Sequence, residues 1–210
     1  MIAYSTTCSP GGGYTPGHTR SRYFGPENGG LIFNSPVNVA VFRIDHDQAF
    51  QQSTHFQYQF PKKGPWVALT WRYDSGLVAG AVPDLATALS LDGDQQAAIG
   101  FHCGSQFATL SSPITACSLP YPQWGATRLR IPAPGTENDD TNPPRIAPRH
   151  LFDVGAGLDN ILRTDRYKLN ARFTVINLTN QVALYNFLST FSGTHFVSPR
   201  VYQAQLEVAF

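Results

Sequence analysis

Five segments of this chain place apolar residues at every second position, and no other part of the sequence offers a matching apolar layer to cover them. In Gln48–Phe60, Phe50, Thr54, Phe56, Tyr58 and Phe60 share one face, and Gln51, Ser53, His55, Gln57 and Gln59 the other. Val67, Leu69, Trp71 and Tyr73 alternate with Ala68, Thr70, Arg72 and Asp74. Phe152, Val154, Ala156 and Leu158 alternate with Asp153, Gly155, Gly157 and Asp159. Leu169, Ala171, Phe173 and Val175 alternate with Lys168, Asn170, Arg172 and Thr174. In the closing stretch "RVYQAQLEVAF", Tyr202, Ala204, Leu206, Val208 and Phe210 point one way, and Val201, Gln203, Gln205, Glu207 and Ala209 the other. Period two is the pattern of strands with two unlike faces.

A soluble sheet needs a second layer against its apolar face. No amphipathic helix of sufficient length is evident. Lipid is the alternative cover, and a strand of about 9–11 tilted residues crosses the hydrocarbon layer. The connections agree. Pro61–Pro65 and the stretch near Asn160–Arg166 are short turns, whereas roughly Ser75–Arg149 and Thr179–Arg200 are long. Short turns at one end and long loops at the other typify transmembrane barrels. Tyr58, Phe60, Trp66, Tyr73, Tyr202 and Phe210 stand near strand ends, as interfacial aromatics do. Charged residues are only 14% of the chain and aromatics 12%, and the net charge of +1 gives no case for nucleic acid. No run approaches the roughly 20 apolar residues of a membrane helix, and the N-terminus lacks the features of a signal peptide. The expected fold is therefore all-β: an antiparallel meander of about five long transmembrane strands, a partial outer-membrane β-barrel.

The stretch "FTVINLTNQVALYNFLSTFSGTHFVSPRVYQAQLEVAF" resembles the end of a TonB-dependent outer-membrane receptor. The likeness is carried by Ile176–Asn180, the Pro199-Arg200 step and the terminal Phe210, and it extends across residues 42–160. The most similar type is the Oar-like receptor, with a carboxypeptidase-regulatory-like domain before the plug and barrel. The resemblance implies a Gram-negative outer-membrane location, lipid contact, and active ligand uptake through TonB. This chain has neither plug nor TonB-contacting segment, so TonB engages only through the missing plug of a longer protein. The expectation is thus a C-terminal piece of such a receptor, supplying wall strands, surface loops and an assembly signal. Its odd number of strands does not close a barrel in the usual way. In the family the terminal strand is read by the barrel-assembly machinery, which implies that role for Tyr202, Leu206, Val208 and Phe210.

The corresponding division is 1–47 as a loop leading to the first hairpin, 48–74 as a β-hairpin, 75–148 as a long extracellular loop, and 149–210 as the last three strands, with an extracellular loop at 179–200. Within the longest loop, Asp92 and Gln95 are placed to cap a short helix as a box pair. Cys103 and Cys117, fourteen positions apart, are candidates for a disulfide in an oxidising compartment. Cys8 has no evident partner.

Other candidates are weaker. Asp45-His46-Asp47 contains suitable metal ligands, but neighbours on an extended chain point to opposite sides. "GAGLDN" lacks the strand-turn-helix context of a phosphate loop, which leaves close strand packing as its reading. Asn177-Leu178-Thr179 matches a glycosylation sequon without a reason for it in a bacterial barrel. There is no nucleophile elbow, no plausible nucleophile–base pair and no cofactor motif, so no enzyme is expected. Arg72 and Arg172 are the candidates to meet an anionic solute from the polar face, where solvation and cross-strand pairing are the plainer roles. The transported ligand is not specified. Rival readings are a passive outer-membrane channel and a soluble β-sandwich binding module of a secreted protein.

Overall fold

A computed structural model describes residues 2–10, 20–21, 42–43, 47–62, 64–164, 166–189 and 192–209. Its main element is a six-stranded antiparallel sheet. In chain order the strands are β1 (Ile2–Pro10), β2 (Phe50–Gln59), β3 (Trp66–Asp74), β4 (Arg149–Leu158), β5 (Lys168–Ile176) and β6 (Val201–Ala209). Each pairs with the next in sequence, and β1 and β6 are the two edges. Among the described residues the sheet is not closed. The five periodic segments supply β2 to β6. The expected count of five is corrected by β1, which falls in the stretch assigned to a loop and pairs with β2 from Ile2↔Tyr58 to Pro10↔Phe50.

The register explains why the alternation matters. Phe56 stands opposite Leu69, Leu69 opposite Val154, Val154 opposite Val175, and Val175 opposite Tyr202. The neighbouring row runs Tyr58, Val67, Ala156, Phe173, Ala204. A slip of one residue in any strand would move its apolar set to the other face. The aligned rows build one continuous apolar surface across β2 to β6, and it is largely bare. Leu206 is 74% exposed, Tyr202 62% and Val208 60%, with Phe56, Val67, Leu69 and Phe173 also exposed.

Both short turns lie at one end of the sheet. The first is closed by Phe60 N–H donating to the Pro65 carbonyl at 2.9 Å and Gly64 N–H to that of Pro61 at 3.1 Å. At the other end, the segments expected to be long loops contain secondary structure of their own. Residues 75–148 contain helices α1 (Leu85–Ser90) and α2 (Gly93–Ile99), a three-stranded sheet (Phe101–Cys103, Gln106–Phe107, Trp124–Ala126) and a two-stranded one (Leu129–Arg130, Arg145–Ile146). The expected loop at 179–200 contains the hairpin Leu184–Ser189/Gly193–Phe196. These loops hold the main hydrophobic core: Val82, Ile99, Phe101, Leu129, Ile146, Leu184 and Phe187 are all buried together. The core therefore sits beyond the strand ends, and the broad apolar face of the sheet contributes little to it.

Local chemistry accounts for the folded loops. Asp92 accepts from Gln95 N–H at 2.8 Å while the Gln95 side chain accepts from Asp92 N–H at 3.3 Å, the expected capping box of α2. Gly100 ends that helix in the left-handed region at φ 68°, which glycine adopts without a steric penalty. Gly76 permits the closest approach, since a Cβ there would lie 1.8 Å from the Ile146 carbonyl oxygen.

Candidate functional site

The polar face of the sheet carries two of the residues singled out from the sequence. Arg72 Nη2 lies 3.0 Å from Asp153 Oδ2 across β3 and β4. The Arg172 guanidinium sits over the Trp66 ring, 5.3 Å from its centroid. Arg72 stands opposite Leu151, and Trp66, its strand-mate six residues back, opposite Gly157, the partner of Arg172. At about 3.3 Å per residue the two rows are about 20 Å apart. The two arginines share a face but do not converge on one ligand site.

Trp66 corrects a second expectation. It is not an interfacial aromatic of the apolar face, because its parity places it with Ala68, Thr70 and Arg72. It is buried at 9% exposure and lies flat on β4, where a Cβ at Gly157 would come within 2.5 Å of its ring. "GAGLDN" is accordingly a packing motif. Near it, a shallow cavity of about 340 Å³ is lined by His55, Thr70, Asp153 and Arg172, among others.

Where sheet meets loops, charges are buried in pairs. Asp47 is fully buried, and Arg145 Nη2 reaches its carboxylate at 2.8 Å and Arg43 Nη1 at 3.4 Å. Asp45 and His46 lie outside the described residues, and among those described no group of His, Cys, Asp and Glu is arranged to hold a metal. Arg149 joins the sheet to the upper hairpin. Its Nε lies 2.9 Å from Asp74 Oδ2 without a well-aligned N–H, its Nη1 donates to the Leu184 carbonyl at 2.7 Å, and its plane covers the Tyr185 ring at 4.4 Å. Gln48 Nε2 donates to the other Asp74 oxygen at 3.2 Å. No sequence pattern marks this cluster, since its members come from distant segments.

Asn177 organises the second loop. It is 1% exposed, donates to the Gln181 and Ser198 carbonyls at 3.0 and 2.9 Å, and accepts from Gln181 N–H at 2.9 Å. That explains the residue without glycosylation. Its own N–H donates to Asp153 Oδ1 at 2.9 Å, tying this loop to the polar face of β4. Leu151, on the same face, packs with Ala183 and Val197. The loop thus leans over the polar side of the sheet.

In the larger loop, Cys103 and Cys117 form a disulfide with Cα atoms 5.9 Å apart. Gln96, wholly buried, donates to the Ala88 and Ile114 carbonyls and accepts from Ile114 N–H, which joins both helices to the irregular stretch around Ile114. Asp84 caps α1, and hydrogen bonding from Thr87 holds its carboxyl below the usual value. Because that pKa is lowered, the cap's contribution is present at neutral pH and is lost as pH falls through the lowered value. Glu137 is shifted the other way, first by desolvation and then by Asp139 and Asp84.

In the terminal strand, Tyr202, Leu206 and Val208 all stand on the exposed apolar face of edge strand β6. Phe210 lies outside the described residues. Cys8 stands opposite Gln52 in β1. No protein family, no curated protein and no solved structure matches this chain.

Proposed function

We propose that this chain is a wall segment of an outer-membrane β-barrel of the TonB-dependent receptor type, contributing strands, folded surface loops and the assembly signal for uptake of a ligand. The observation that carries this reading is the continuous apolar face, aligned in register across β2 to β6 and left bare while the chain's main hydrophobic core lies in the loops. In water such a face is a liability, as are two unpaired sheet edges. Against lipid the face is stabilising, and in a complete barrel the edges are paired. The six strands leave β1 and β6 running in opposite directions, so an even number of further strands would close the sheet with antiparallel order throughout. The loops gather at the end away from the short turns and the second of them leans over the polar face, as a lumen covered from outside requires. A disulfide in that part suits an oxidising cell surface.

The assembly role is tested in the full-length parent protein. Phe210→Ala removes one aromatic, worth at most about 1.5–3 kcal/mol of burial, yet it is expected to lower the amount of receptor in outer-membrane fractions. Molecules that do assemble should keep near-normal heat resistance. Glu207→Gln, on the polar face of β6, should change neither quantity. Unchanged membrane levels for Phe210→Ala at ordinary expression would rule out a recognition role for the final aromatic.

A further inference from the structure

One cleft in the loop module has the chemistry of a binding site. It is a shallow depression, wide open to solvent, between the strand Trp124–Ala126 and the segment from Leu129 to Ile131, with a volume of about 320 Å³. Its floor is apolar, with Leu129 and Ile131 buried. Two aromatics form one wall: Trp124, buried, and Tyr121, 44% exposed, meet edge to face at 5.6 Å between centroids. His102 also lines it, across from Gly125 in the neighbouring strand, where a side chain would meet only His102 Nε2, at 3.6 Å.

The rim is cationic. Arg130 is exposed, and no carboxylate among the described residues lies within ion-pair distance of it. Its cross-strand neighbour is a second arginine, Arg145, whose charge is taken up by Asp47. Arg130 is thus a planar donor left over beside an aromatic slot. The Cys103–Cys117 bond braces the wall, since Cys103 pairs directly with Trp124 and follows His102.

We propose that this cleft binds a flat aromatic molecule bearing an anionic group, the ring lying against the exposed Tyr121, which Trp124 backs, and the anion on the Arg130 guanidinium. Ring stacking and apolar contact supply the cleft's affinity, and the planar fork of Arg130 supplies selection for carboxylate-like groups. The cleft's position on the cell surface rests on the barrel reading above, whereas binding is a property of the chain itself.

Calorimetric titration of the full 210-residue chain in detergent micelles tests it. The probes are 2-naphthoate, its neutral analogue 2-naphthamide, and cyclohexanecarboxylate. Saturable binding of 2-naphthoate is expected at one site, with each of the other two weaker by about tenfold or more. Arg130→Gln should bring 2-naphthoate down to the level of the amide, and Gly125→Val should block the cleft. Lys168→Gln, at the far end of the sheet, should leave binding unchanged. An intact Cys103–Cys117 bond and unchanged circular dichroism establish that each variant is folded. Equal binding of acid and amide, insensitivity to both cleft substitutions, or no saturable binding up to millimolar 2-naphthoate would overturn the proposal. A chain that binds as expected but is absent from outer membranes would overturn the barrel reading and leave the cleft standing.

Discussion

Replacing Arg149 with Met is expected to destabilise the folded chain by about 3–5 kcal/mol, the usual cost of removing one partner of a buried ion pair. Arg149 is 3% exposed and Asp74 5%. Methionine retains most of the apolar stem but leaves the Asp74 carboxylate with Gln48 as its side-chain partner among the described residues, and takes the Nη1 donor from the Leu184 carbonyl. The loss should appear as a lower urea midpoint with little change in slope. The double variant Arg149→Met/Asp74→Leu should regain most of it, because no uncompensated charge then remains. A single variant within about 0.5 kcal/mol of the parent would mean that solvent reaches the pair. The effect would be felt at the junction, since these contacts hold the upper hairpin against β3 and β4.

A second large effect is expected from Leu69→Arg. Leu69 lies near the middle of β3, between Phe56 and Val154, on the exposed apolar face. If that face meets lipid, an arginine there costs about 2–4 kcal/mol in a bilayer. In a water-exposed sheet the same substitution, at a residue already 40% exposed, should stay within about 0.5 kcal/mol. The control is Gln203→Arg on the polar face of β6, which should be near neutral in either case. Refolding into lipid bilayers, followed by the heat-modified gel mobility of the folded band, measures both. Equal yields for the two variants would remove the case for lipid contact.

Most of the sheet could be read from the sequence because its strands have two chemically unlike faces. Phe56, Leu69, Val154 and Val175 announce their face by parity alone, and the register then aligns them. β1 is less legible because Ile2 and Tyr4 alone mark its apolar face clearly, and beyond them Thr6 and Cys8 differ little in polarity from Ser5, Thr7 and Ser9. The α2 capping box was readable, since all its partners lie within four residues. The loop core was not, because Val82, Ile99, Leu129, Ile146 and Phe187 come from short elements with no period of their own and meet only in three dimensions. Trp66 shows the limit of reasoning from position. Proximity to a turn suggests an interfacial role, whereas parity and the two β4 glycines beneath its ring, Gly157 opposite and Gly155 diagonal, decide for packing on the polar face. Arg130 and Tyr121 carried no signal at all, for nothing in a linear chain places a lone arginine beside an aromatic slot.

The most direct test of the central claim is a depth and facing scan along β3. Single cysteines from Val67 to Arg72, each carrying an environment-sensitive fluorophore, would be placed in a chain with Cys8 replaced by Ser and the loop disulfide intact. Folded samples in bilayers containing quencher-labelled lipid are then compared one residue at a time. Strong quenching is expected at positions 67, 69 and 71 and weak quenching at 68, 70 and 72, a period-two pattern that follows the apolar face. Uniformly weak quenching, or quenching strongest at 68, 70 and 72, would contradict the reading of this sheet as a membrane wall.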